Sequence, residues 1–173
     1  MKLKVERLEE KAPLPAYAHT GDMCFDLSVL IDENNKPSIV DGDIQEKTYL
    51  PLQTDATGRK YVSLQPSQSA VFHTGLKMET ERGYGLETHV RSSTGIKKKL
   101  ILSNATGIID TSTYRGELLI SLTNIGSNSR KIFDLERIAQ GKVVSILDVE
   151  IEEVTSLSKT TRGEGGIGST GGH

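Results

Sequence analysis

Apolar and polar positions alternate with a period of two along much of this chain. Leu3 and Val5 stand against Lys2, Lys4 and Glu6, the pattern of a half-buried β-strand. Pro13 and Pro15 turn the chain away from it. Short apolar runs follow at residues 61–64, 70–74 and 76–78, and then Leu86, Thr88 and Val90 alternate. Gln65-Pro66-Ser67 and Glu81-Arg82-Gly83 supply turns between them. Leu118, Ile120 and Leu122 share one face of a further run that stops at Gly126-Ser127-Asn128. Residues 131–133 and 143–147 complete the set, and Val149, Ile151 and Val154 can extend the last of these. Short strands broken by turns roughly every 8–12 residues predict an all-β sandwich or barrel.

Two stretches depart from this pattern. From residue 32 to 60 the chain is mostly polar, with only Ile39-Val40 and Tyr49-Leu50 as apolar islands. An exposed β-hairpin is expected there, and its length also suits a partner-binding arm. The acidic start does not make a calcium loop, because Lys36, Pro37 and Asp43 occupy the positions that need an oxygen ligand, glycine and glutamate. Residues 156–161 read as a linker. Beyond it, six glycines fall within residues 162–173, too little apolar surface for that segment to order itself.

A chain of 173 residues suits one domain, taken as residues 1–155 with a tail of 156–173. No tryptophan and 17 glycines favour strands and turns over long helices. A formal charge of −2 and a pI of about 6.1 argue against nucleic acid as a partner. Cys24 is the single cysteine, so no intrachain disulfide can form, and a reducing compartment fits. Met1 to Arg7 has no apolar signal core, and no uncharged apolar run reaches the roughly 20 residues that span a bilayer. A soluble, cytoplasmic protein without a membrane partner is expected. The four histidines (19, 73, 89 and 173) lack metal-ligand spacing.

Candidate chemistry concentrates in residues 91–117. Arg91 offers a planar fork suited to phosphate, with the hydroxyls of Ser92 and Ser93 beside it. Asn104 carries the donors and acceptor needed to read a base edge. Asp110 follows Ile108-Ile109 and lies three residues after Gly107, so a turn can lift its carboxylate out of a sheet edge. Lys97-Lys98-Lys99 reads as a solvated turn. Cys24 reads as a small packing residue and not a nucleophile.

Five strings in order resemble the five motifs of the homotrimeric dUTP pyrophosphatases, the dUTPases. They are residues 18–27, Arg91-Ser92-Ser93, Gly107-Ile108-Ile109-Asp110 with Tyr114-Arg115-Gly116 after it, Arg137-Ile138-Ala139-Gln140, and residues 162–171. The resemblance implies a jelly-roll-like β domain, a homotrimer, and Mg²⁺-assisted hydrolysis of dUTP to dUMP and pyrophosphate. It assigns Asp110 to the attacking water and Asp26 to the magnesium through a water. Arg91, Ser92, Ser93, Gln140, Arg162, Ser169 and Thr170 would hold the phosphates. Asn104, Gly107, Ile109, Tyr114 and Ile167 would hold base and sugar, with the Tyr114 ring on the deoxyribose.

Three features depart from the family pattern. One residue is added before Tyr114 and the usual second acid is missing, Ile167 replaces an aromatic, and residues 32–60 look like an insertion. A dCTP deaminase, which shares the fold and the Arg-Ser-Ser string, needs a glutamate where this chain has Ser121. A nucleotide-responsive regulator that binds a protein through residues 32–60 is the reading from another functional class.

Overall fold

The computed structural model describes residues 1–40 and 47–166. In chain order its strands are β1 (Lys4–Arg7), β2 (Phe25–Ser28), β3 (Ser38–Ile39), β4 (Gln53–Thr54), β5 (Lys60–Leu64), β6 (Ser69–His73), β7 (Leu76–Glu79) and β8 (Tyr84–Val90). A short helix α1 (Ser92–Lys98) comes next, then β9 (Leu100–Leu102), β10 (Gly107–Ile109), β11 (Leu119–Asn124), β12 (Arg130–Phe133) and β13 (Arg137–Ser145). The strands pair antiparallel in the orders β10-β8-β13-β2, β3-β6-β11-β9, β12-β5-β4 and β1-β7. This is the all-β, jelly-roll-like architecture that the alternation predicts. Among the described residues no helix is long and apolar enough to cross a membrane.

The core is built by the inward half of each alternation. Ala70 and Phe72 of β6 and Ile120 and Leu122 of β11 are buried, while Ser69, Val71, Leu119 and Ser121 face outward. Leu27, Leu64, Leu76, Leu86, Ile132 and Ile138 join them from the other strands. Each such side chain stabilises the fold by roughly 1.5–3 kcal/mol relative to exposure. Asn124 ends β11 inside this core. Its amide donates to the carbonyls of Leu64 and Asn128, both at 2.9 Å, and its Oδ1 accepts the Gly126 N–H at 2.9 Å. A fully buried carboxamide is tolerated because its polar atoms are bonded.

Three local expectations are corrected. The two apolar islands of residues 32–60 do pair antiparallel, with Ser38 opposite Tyr49 and the Ile39 N–H donating to the Thr48 carbonyl at 2.7 Å, but they are not an exposed hairpin. Ser38 and Ile39 pair with Val71 and Ala70 at the edge of the β6 sheet, β4 pairs with β5, and Leu50 is 2% exposed in the core. The stretch looked external because only Ile39 and Leu50 of its apolar pairs turn inward, Val40 and Tyr49 being exposed, and an edge strand of two residues leaves no periodicity to read. Residues 41–46 of it lie outside the described part. Lys97 and Lys98 belong to the last turn of α1, where they face its carbonyl end, and Lys99 caps it with a left-handed φ of 56°. Finally, β13 runs from Arg137 to Ser145, with a register shift against β2 between Arg137 and Ala139, and stops there. Val149, Ile151 and Val154 do not extend it and are exposed.

Candidate functional site

Sheet register creates the first of two clefts. Gln140 of β13 lies opposite Asp26 of β2 on one side and His89 of β8 on the other, so the three side chains share one sheet face. One residue past β8 comes Arg91, in extended conformation, and then Ser92 and Ser93 open α1 with their side chains exposed. Arg91 Nε reaches Asp26 Oδ1 at 2.7 Å, and Arg137 Nη1 reaches Asp26 Oδ2 at 2.9 Å. Arg91 Nη1 also donates to the Arg137 carbonyl at 3.2 Å. Asp26 thus has both oxygens engaged by cations, and it fixes the plane of the Arg91 fork. Asp22, Met23 and Cys24 wall the rest of a cleft of about 510 Å³. Cys24 is therefore a wall residue of a site and not only packing.

The second cleft, about 380 Å³, is open to solvent at Asn104, Ile108, Asp110 and Tyr114. Its floor is set by a close approach of strands: β10 pairs Gly107 with Thr88, and a Cβ on Gly107 would lie 2.2 Å from Thr88 Oγ1. Glycine is required there so that β10 can carry Ile109 and Asp110 into place. Asp110 ends the strand, and its carbonyl accepts the N–H groups of Thr113 at 2.9 Å and Tyr114 at 2.7 Å. The added residue is absorbed in this turn. Thr111 is buried and shares a 2.7 Å hydroxyl bond with Thr80, while Arg115 Nη1 donates to the Thr111 carbonyl at 3.0 Å.

Tyr114 folds back over its own turn. Its hydroxyl donates to the Glu117 carbonyl at 3.1 Å, and a Cβ on Gly116 would lie 2.1 Å from that hydroxyl oxygen. Glu117 is held in turn: Oε2 meets His73 Nδ1 at 2.8 Å and Oε1 accepts the Gly75 N–H at 2.7 Å. Burial pushes the Glu117 carboxyl up, but the His73 and Gly75 bonds together outweigh it and hold the group below the usual glutamate range. Ser121 lines this cleft as well, and its hydroxyl donates to Ser103 Oγ at 2.8 Å.

The sequence-predicted residues therefore fall into two groups. Arg91, Ser92, Ser93, Gln140 and Asp26 line one cleft; Asn104, Gly107, Ile109, Asp110 and Tyr114 line the other. No residue lines both. Arg162 lies on the exposed segment after residue 155, where its Nε donates to the Gly165 carbonyl at 2.8 Å. Ile167, Ser169 and Thr170 lie outside the described residues. Arg137, Gly116, Glu117 and Asp22 are not among the sequence-predicted site residues. Arg137, Gly116 and Asp22 do stand inside the motif strings, and Glu117 directly follows one, so adjacency was the only available signal.

A dUTPase family model matches residues 54–171. The chain is 36% identical over 171 residues to a deoxyuridine 5'-triphosphate nucleotidohydrolase of Trichodesmium erythraeum, covering 99% of each protein. To that of Clostridium novyi it is 33% identical over 171 residues, again 99% of each. These matches run through residues 32–60 with almost no net difference in length. Among solved structures, a dUTPase of Staphylococcus bacteriophage 80alpha with dUPNHPP superimposes with a TM-score of 0.73 at 25% identity, covering 98% of both chains.

Proposed function

This chain belongs to the dUTPase family, and from that premise we propose that it hydrolyses dUTP to dUMP and pyrophosphate by attack of water on the α-phosphorus. One observation carries the finer reading: the carboxylate suited to handling water and the arginine and hydroxyls suited to phosphate line separate clefts of one chain. In this proposal the joined site takes Asp110 from one copy and Arg91, Ser92 and Gln140 from another. A homotrimer supplies three such junctions.

In this reading Asn104 reads the uracil edge and the Tyr114 ring covers the deoxyribose. Asp110, exposed at the end of β10, orients the attacking water and takes its proton. An ordinary aspartate is a weak base, so its contribution is mainly position and charge aimed at the water. Ser92 donates to the bridging oxygen of the leaving group. Arg91, pre-aimed by Asp26, and Ser93 and Gln140 hold the phosphates.

The donor set fits a magnesium ion that arrives on the triphosphate. Among the described residues no cluster of three acidic, histidine or cysteine side chains could hold a metal alone, and both Asp26 oxygens are engaged by arginine. Asp26 would therefore act through a bound water, as suits an ion that keeps much of its hydration shell. The ion supplies neutralisation of charge on the phosphate oxygens. Residues 1–155 are read as the catalytic β domain, and 156–173 as a segment whose Arg162, Ser169 and Thr170 close over the phosphates of a neighbouring copy.

Ser121 argues against deamination, because a serine hydroxyl bonded to Ser103 Oγ cannot shuttle the protons that a glutamate would. The test is pyrophosphate release with Mg²⁺ across dUTP, dCTP, dTTP and UTP. Release confined largely to dUTP supports the proposal, and ammonia release from dCTP would replace it.

A further inference from the structure

We propose that Glu117 is a positioning residue for sugar selection, acting through Tyr114 by way of its own backbone carbonyl. The inference deepens the reading above and rests on Tyr114 being the residue that faces the sugar.

The chain of contacts is continuous. Tyr114 is 45% exposed, so packing alone does not hold its ring. What fixes the ring is its hydroxyl bond to the Glu117 carbonyl at 3.1 Å and the bare Cα of Gly116 beneath it. That carbonyl shares its planar peptide with the Leu118 N–H, and its position depends both on that group's backbone bond and on how residue 117 is held. The Glu117 side chain, 19% exposed, pins it with two bonds to one connector: His73 at the end of β6 and the Gly75 N–H just before β7. Next to it the Leu118 carbonyl accepts Thr74 Oγ1 at 2.6 Å, and the Leu118 N–H donates to the Leu76 carbonyl at 2.8 Å. Residues 114–118 are thus laced to residues 73–76, on strands rooted in the core.

A ring that excludes a 2′-hydroxyl does so by occupying a volume. Its discrimination falls when its position relaxes, even though the ring remains. Both dUTP and UTP present the same base and phosphates, so a defect in general folding or phosphate binding lowers both rates together. A defect in ring position narrows the gap between them.

The experiment compares kcat/KM for dUTP and for UTP in the full-length chain and in Glu117→Ala, Glu117→Gln, His73→Ala and Tyr114→Ala. Glu117→Ala should lower the dUTP:UTP ratio by about tenfold or more, because an ångström of misplacement is enough for such losses. The loss should come through KM for dUTP more than through kcat. Glutamine keeps an acceptor for Gly75 and an amide that can bond His73 Nδ1, so Glu117→Gln should hold the ratio within about threefold of the parent. His73→Ala removes one of two anchors and should cost an intermediate factor, which reads the same link if Glu117→Ala does not fold. A parental ratio in Glu117→Ala, or in His73→Ala where the former is unfolded, overturns the inference when Tyr114→Ala loses discrimination. A parental ratio in Tyr114→Ala overturns the sugar-facing reading itself, and the inference with it.

Discussion

Asp26 and Arg91 meet across the β2–β13–β8 sheet with Nε 2.7 Å from Oδ1, although 111 and 46 residues separate Arg137 from the two partners it joins there. Asp26 is 14% exposed on its side chain, so its pairing is poorly screened. Replacing it by asparagine keeps the shape and leaves Arg91 and Arg137 facing each other without the intervening charge. Hydrogen bonds to charged groups contribute about 1.5–3 kcal/mol each, so Asp26→Asn should lower kcat/KM for dUTP by about tenfold or more. Steady-state kinetics at saturating Mg²⁺ checks this. Parental kinetics would mean that the Arg91 fork is aimed by something else.

The separation of the two clefts makes a prediction about mixed assemblies. Asp110→Asn should lower kcat by about 10²-fold or more while leaving affinity for a non-hydrolysable dUTP analogue nearly unchanged. Arg91→Ala should be inactive through the other cleft. If each site draws Asp110 and Arg91 from different copies, co-expressing the two variants should restore measurable turnover, because some junctions then hold two intact halves. A mixture no more active than its parents would place both residues in one copy's site.

Leu50 carries a prediction opposite to the one that polarity suggests for its surroundings. It sits in the core at 2% exposure, and its N–H donates to the Pro37 carbonyl at 2.8 Å. Leu50→Ala should destabilise the domain by about 2–5 kcal/mol, read by thermal or denaturant unfolding. Removing residues 34–60 should abolish folding altogether, since it strips β3 from the edge of β6 and β4 from β5. A stable, active deletion variant would show that these edges are dispensable.

That contrast marks what could be read from the chain. Strands such as β6 and β11 were legible because their alternation spans five or six residues and one face is fully buried. β3 and β4 were not, because two residues carry no period, and their burial is decided by partners far along the chain. The motif residues were legible as types at fixed spacings. Their division between two clefts was not, since it depends on Gly107 pairing with Thr88 while Gln140 pairs with Asp26. Arg137 and Glu117 act by holding other groups, and nothing in a string of letters says which neighbour a side chain will hold.

The segment after residue 155 should be required for turnover and not for folding. Its residues up to 166 make no strand and are largely exposed, so deleting 162–173 should leave the unfolding temperature nearly unchanged. Turnover should fall severely, because phosphate wrapping and exclusion of water would be lost. A truncated chain with parental kcat would reduce the segment to a passive tail.

Glu117 also makes a prediction about acid stability, and its sign follows from the direction of its shift. Burial favours the protonated form, but the bonds from His73 and the Gly75 N–H favour the carboxylate more, so the folded value lies below that of the unfolded chain. The unfolded chain then binds the proton first as pH falls. Stability contributed by this group is complete above the unfolded value, about 4.3 for glutamate, and is lost as pH drops from there through the folded value. Other carboxylates titrate in the same range, which is why the informative quantity is a difference between two proteins. Glu117→Gln cannot ionise and keeps most of the local bonding. The stability gap between parent and Glu117→Gln, measured by denaturant unfolding from about pH 5.5 downward, should shrink as pH falls below about 4.3. A gap that stays constant into stronger acid would mean that Glu117 titrates alike in both states, and that its two bonds to the β6–β7 connector do not favour the charged form.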